Sequence, residues 1–176
     1  MIDLKLLSSI YREAKPSLLE RFIDPINETC RRFDLNTPER QSMFLAQIGH
    51  ESGQLRYLEE LASGSAYEGR KDLGNTESGD GVKYKGRGVI QITGRTNYAL
   101  CGLALDLPLL ENPGLLSQLP HAMVSAGWYW SNNKLNSYCD KGDFEGLTKR
   151  INGGLNGYAD RVMLYKRALE AFGITK

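Results

Sequence analysis

The chain is poor in the residues that would tie it to a metal, and it lacks the patterns of a membrane or nucleic-acid protein. It has two histidines, His50 and His121, and three cysteines, Cys30, Cys101 and Cys139, in 176 residues. No two cysteines form a CxxC pair. Clustered histidine and cysteine are the usual zinc ligands, so the sequence predicts no metal site, and nothing else in it asks for a cofactor. An odd number of widely spaced cysteines reads as free thiols from a reducing compartment; one disulfide plus one free thiol stays open. The formal net charge of +1 gives none of the basic excess that general nucleic-acid binding requires. No apolar run approaches the roughly 20 residues of a membrane span, which predicts no stable membrane insertion. The opening residues, Met1 to Glu13, lack a basic segment followed by an uninterrupted apolar stretch, so they do not read as a signal peptide. The expectation is a protein made in the cytoplasm. Internal repeats, low-complexity tracts and linkers are also missing. Residues 1–176 therefore read as one domain, with a monomer as the default.

What is present is helical periodicity broken by long polar loops. Apolar residues are 41% and charged residues 24% of the chain, ordinary for a globular protein. Leu4, Leu7 and Tyr11 predict a helix over 3–14, ended by Pro16. A second is predicted over 17–32, kinked near Asp24 by Pro25. The clearest begins at Thr37, a good N-cap, followed by Pro38 and Glu39 in the first turn. Met43, Phe44 and Ile48 give it an apolar face, and Gly53 stops it. Residues 61–83 have loop composition. Val89–Thr93 reads as a short strand or an extended segment between glycines. Further helices are predicted over 98–103, 120–130, 144–151 and 159–172. The fold class is mainly α.

Two carboxylates stand out. Glu51 lies three residues after Ile48 and seven after Phe44, so it shares their buried face. It also falls in the last helical turn, at the negative end of the dipole. Both effects disfavour the ionised form, which suits a proton donor. Glu60 follows nine residues later, beyond Gly53, and is free to face Glu51 from another segment; a more solvated carboxylate there would stay ionised and activate water. The plainer reading of Glu59 and Glu60 is a solvated surface pair. His50-Glu51 is not a zinc-protease helix, because the second histidine position holds Gln54. Gly86-Arg87-Gly88 is not a dinucleotide fingerprint, because Gln91 occupies the third glycine position. Those glycines let backbone approach a ligand or a neighbouring segment. Gln91, Thr93 and Asn97 are neutral hydrogen-bonding groups suited to sugar hydroxyls and N-acetyl groups, and singly each would be an ordinary turn residue. Arg161, early in its helix where a cation is disfavoured, predicts a carboxylate partner. Trp128, Tyr129 and Trp130 would stack on sugars or, more commonly for a helical run, belong to the core.

Taken in order, His50-Glu51-Ser52-Gly53, Glu60, Tyr84-Lys85-Gly86-Arg87-Gly88-Val89-Ile90-Gln91-Ile92-Thr93-Gly94, Asn97-Tyr98, Ile151-Asn152-Gly153-Gly154 and Asp160-Arg161 resemble glycoside hydrolase family 19 over about residues 40–172. That family holds chitinases and phage endolysins. The resemblance implies a lysozyme-like, two-lobed helical fold with a substrate cleft. It implies cleavage of β-1,4 bonds next to N-acetylated sugars with inversion, without a cofactor. Glu51 would be the general acid, Glu60 the general base, and Thr93 would hold the attacking water. His50, Tyr84, Gln91, Asn97, Asn152 and Arg161 would serve substrate binding, with Arg161 near the Glu51 carboxylate. Glu68 is the rival base. The Tyr67-Glu68-Gly69-Arg70…Leu73-Gly74-Asn75 stretch and the absent signal peptide look most like endolysins of bacteriophages and prophages. The expected partner is then peptidoglycan or another N-acetylglucosamine polymer, reached after release from the host cytoplasm. A chitinase is the alternative, and a silent wall-binding module the second. The family's chitinases often carry an acidic residue where this chain has Asn156.

Overall fold

Ten α-helices joined by long loops make up most of the computed structural model, which describes residues 1–174. Among these there is no extended strand. Two isolated bridges, Glu59 with Arg87 and Arg87 with Ile92, are the only β pairing among the described residues.

Helix α1 (Leu4–Ile10) starts at Asp3, whose carboxylate accepts from the Leu6 N–H at 2.8 Å. It stops short of the predicted end because Tyr11 leaves the helix and buries its ring, donating to the Leu45 carbonyl at 2.6 Å. The predicted second helix is two: α2 (Pro16–Glu20) and α3 (Ile23–Arg32). The break precedes Pro25 instead of following from it. Pro25 sits in the first turn of α3, where its missing N–H would have had no helical partner. Helix α4 (Pro38–Glu51) matches its sequence signals: Thr37 caps it by accepting from the Arg40 N–H at 3.2 Å. After the polar loop come α5 (Asp80–Lys83), α6 (Arg95–Leu105), α7 (His121–Asn132), α8 (Asn136–Asp140), α9 (Phe144–Asn152) and α10 (Tyr158–Ala171). The sequence reading missed α5 and α8, of four and five residues, too short for a periodic pattern.

Two hydrophobic clusters form. The larger holds Leu7, Ile10, Phe44, Ile48, Trp130, Leu164 and Ala168; α4 packs along α10, and α1 packs against α10. Gly49 permits this: a Cβ there would stand 2.5 Å from the Tyr11 ring and 3.2 Å from Leu164. The smaller cluster gathers Tyr84, Ile92, Tyr98, Cys101, Leu109, Leu116 and Trp128. Tyr129 touches both, so α7 runs along the seam. Trp130 is fully buried and meets Phe44 edge-on at 5.1 Å. Trp128 is buried as well, which makes both tryptophans core residues. All three cysteines are free and buried; burial pushes each thiol up to about 12.

The Val89–Thr93 segment is not a strand. Gly88 to Gln91 form a tight turn closed by the reciprocal bonds of Arg87 and Ile92, with φ of 86° at Gly88 and 28° at Gln91. Val89 and Ile90 enter the larger cluster and Ile92 the smaller. The turn therefore stitches the two clusters together and leaves Gln91 and Thr93 where they meet.

Candidate active site

Glu51 is the last residue of α4, and its carboxylate is held from α10. Arg161 donates to Glu51 Oε1 at 2.5 Å and to Gln47 Oε1, one turn back on α4, at 2.5 Å. Gln47 in turn donates to Thr148 Oγ1 at 2.8 Å. Arg161 is 1% exposed and the Glu51 side chain 21%. One carboxylate oxygen is thus tied down from below while the group as a whole still reaches solvent. Arg161 is held further by the backbone carbonyl of Asn156, which accepts from its Nε at 3.2 Å. The missing acidic side chain at 156 is therefore answered by the main chain.

His50 Nδ1 lies 2.6 Å from Asp160 Oδ2, joining the end of α4 to the first turn of α10. Gly157 makes room for that ring: with φ of 68°, a Cβ there would lie 2.1 Å from His50 Cε1.

Glu60 is held by the Gly86 segment. Its N–H donates to the Gly86 carbonyl at 3.0 Å, and the Gly88 N–H donates to Leu58 at 2.9 Å, so residues 58–60 pair with 86–88. Tyr67 Oη donates to Glu60 Oε2 at 2.9 Å. Glu60 Oε1 is buried without a hydrogen-bond partner among the described residues. A Cβ on Gly86 would fall 2.8 Å from Glu60 Oε2, 2.7 Å from Gln91 Oε1 and 3.3 Å from Thr93 Oγ1. Gly86 is therefore the floor around which Glu60, Gln91 and Thr93 gather. Thr93 Oγ1 donates to the Gln91 carbonyl at 3.0 Å, and Gln91 Nε2 to the Gly88 carbonyl at 2.9 Å. Asn97 is exposed and donates to the Thr93 carbonyl at 2.7 Å. Asn152, at the end of α9, has a buried Nδ2 with no partner among the described residues.

Four expectations change. Tyr84 is not a substrate contact: it is fully buried, tilted against Tyr98 at 5.3 Å, with its hydroxyl on the Leu110 carbonyl at 3.1 Å. Arg161 is too deeply buried to touch a saccharide, and of its two expected roles it keeps the place beside the Glu51 carboxylate. Glu68 does not compete as a base, because its two oxygens accept the Gly79 and Gly81 N–H groups at 2.6 and 2.8 Å. Glu59, read as half of a solvated surface pair, is tied to Lys85 at 2.8 Å, Arg87 at 3.4 Å and Ser117 at 3.0 Å. These bonds, Lys85 foremost, hold its carboxyl below the usual range. The sequence reading gave no role to Gln47, Thr148 and Tyr67, which position the two glutamates. Gln47 had a visible signal, one turn before Glu51 on the same helix face. Tyr67 had none, since loop spacing carries no period.

A family model described as chitinase class I matches residues 39–145. A glycosyl hydrolase family 19 domain-containing protein of Haemophilus influenzae is 35% identical over 158 residues, covering 72% of this chain and 77% of its own. This chain belongs to glycoside hydrolase family 19. An endochitinase of Arabidopsis thaliana is 38% identical to the family 19 chain over 138 residues, covering 74% of it but 47% of the plant protein. The chain thus spans about half the length of such plant relatives. Among solved structures, chitinase C from Streptomyces griseus aligns at a TM-score of 0.77 over 99% of this chain and 77% of its own, with 22% identity. A class IV chitinase from Zea mays aligns at 0.76 over 99% of this chain and 94% of its own, with 23% identity. These structural likenesses show the fold: this family 19 glycoside hydrolase has the mainly helical, lysozyme-like architecture of those enzymes.

Proposed function

We propose that this family 19 hydrolase cuts β-1,4 bonds next to N-acetylated sugars of bacterial peptidoglycan, as an endolysin, by an inverting acid–base mechanism. The observation that carries the reading is the asymmetry of the two glutamates. Glu51 is anchored by a buried arginine, and Glu60 has one oxygen bonded and one left open.

In this reading Glu51 gives its proton to the glycosidic oxygen as the bond to the anomeric carbon breaks. Water attacks that carbon from the opposite face and loses a proton to Glu60. Thr93, its hydroxyl hydrogen already committed to Gln91, meets the water as an acceptor. Gln91, Asn97, His50 and the unpaired Nδ2 of Asn152 supply bonds to the sugars. Enzymes of this mechanism keep their carboxyl groups about 6.5–9.5 Å apart to admit the water. The first product then carries the α configuration, which proton NMR of fresh product reads directly; a β product would reject inversion.

Three buried free thiols fit a protein folded in a reducing cytoplasm and acting on the wall after release. The relatives named as chitinases favour a second reading, chitin as the polymer. Two assays separate them: turbidity loss of outer-membrane-permeabilised cells, and product release from N-acetylglucosamine oligomers. Mass spectrometry of peptidoglycan fragments identifies the bond cut from the reducing-end sugar. A chain that cleaves neither polymer would be a binding module.

A further inference from the structure

We propose that Tyr67 is the positioning residue of the base: its phenol holds Glu60 Oε2, so that Oε1 is the atom that takes the proton from water. The proposal rests on the reading of Glu60 as the base.

Oε2 is enclosed on two sides, with Tyr67 Oη 2.9 Å away and the bare Cα of Gly86 on the other. Oε1 carries no bond from the described residues although it is buried. A carboxylate fixed through one oxygen presents the other in a set direction, which is the geometry proton abstraction needs.

The phenol is itself held in place. Tyr67 ends the short 3-10 turn Ser65–Tyr67, and its carbonyl accepts from Asn75 Nδ2 at 2.9 Å. Asn75 is fully buried, and its Oδ1 accepts the Arg95 N–H at 2.9 Å. Arg95 is locked to buried Asp80 through Nε and Nη2 at 2.9 and 2.6 Å. Glu68, next in sequence, clasps the start of α5. The loop over 64–81 is thus a polar scaffold whose outcome is the aim of one hydroxyl. Burial, and next the bond to Glu60, raise the Tyr67 phenol above its ordinary value, so it stays a donor across the working pH range.

A hydrogen bond to the charged form of a carboxylate favours that form. Its loss disfavours the ionised base and leaves its direction unfixed. The Tyr67→Phe protein keeps the ring, and its expected behaviour is a kcat lower by about tenfold, the scale of one charge-assisted hydrogen bond. KM stays unchanged, and the acidic limb of the kcat–pH profile moves to higher pH. Placing 3-fluorotyrosine at position 67 keeps ring and hydroxyl, so the fold is retained, and its more acidic phenol moves the same limb to lower pH. Kinetics are read on purified peptidoglycan or N-acetylglucosamine hexamer, whichever the wild-type protein cleaves, beside Glu60→Gln. An unmoved limb in the fluorotyrosine protein, or a Tyr67→Phe effect on KM alone, overturns the tyrosine's role. A Glu60→Gln protein that keeps its activity overturns the base assignment beneath it.

Discussion

At the residue scale the two glutamates differ in what holds them, and the difference fixes what each substitution should do. Glu51→Gln preserves the acceptor facing Arg161 and removes only the transferable proton. Turnover should fall by about 10²–10⁴-fold with the thermal midpoint little changed, measured by product release beside a melting curve. Arg161→Ala acts differently. It leaves Gln47 without its donor and Glu51 without its counter-ion in a partly buried site. Breaking such a pair costs about 3–5 kcal/mol, which urea denaturation should show as a lower midpoint at unchanged slope. Equal stability of the Arg161→Ala and wild-type proteins would contradict the role given to that guanidinium.

At the element scale the loop over 61–83 behaves as an ordered body because its polar groups are paired internally. Asp80 is the pivot. The bond from Arg95, and secondarily the Glu77 N–H, hold its carboxyl below the usual carboxylate range. A depressed folded value contributes stability that is complete above the unfolded value of about 3.9 and is lost as pH falls through the folded one. The loop should therefore loosen below about pH 4 while the helices around Phe44 and Trp130 hold. Limited proteolysis by pepsin reads this, with early cuts between residues 61 and 83; the Asp80→Asn protein should show the same cuts at neutral pH with a neutral protease. The α4–α10 contact makes a second test. Gly49→Ala sets a methyl against the Tyr11 ring, and overpacking of this kind costs about 1–3 kcal/mol. Because Glu51 and Arg161 sit on those two helices, turnover should drop along with stability.

At the scale of the whole molecule, two apolar clusters meet along α7 and the Gly88–Gln91 turn, and Gln91 and Thr93 lie at that junction. No helix among the described residues is long and apolar enough to cross a membrane. The buried thiols give a global readout of integrity. Pushed up to about 12, Cys30, Cys101 and Cys139 should not react with a thiol reagent at neutral pH until the protein unfolds, when all three become available. Fast labelling of the native state would mean local opening of the core.

The sequence by itself determined the mainly helical class, the start and end of α4, the identity of Glu51 and Glu60 as candidates, and membership of a family recognisable by ordered motifs. These are local or linear properties: helical period, caps, and residue types at fixed spacing. Tertiary structure decided the rest. It put Tyr84 in the core, where the motif alone had placed it against substrate, because a tyrosine beside glycines carries no mark of which way it faces. It turned the Val89–Thr93 segment into a tight turn, since Val89 and Ile90 enter one cluster and Ile92 the other. It took Glu68 out of contention by giving its oxygens to backbone N–H groups 11 and 13 residues away. It also supplied Gln47 and Tyr67 as partners around the two carboxylates, and it gave the expected Arg161–Glu51 pair its geometry. Contacts across 110 residues leave no period in the chain, and only packing brings them together.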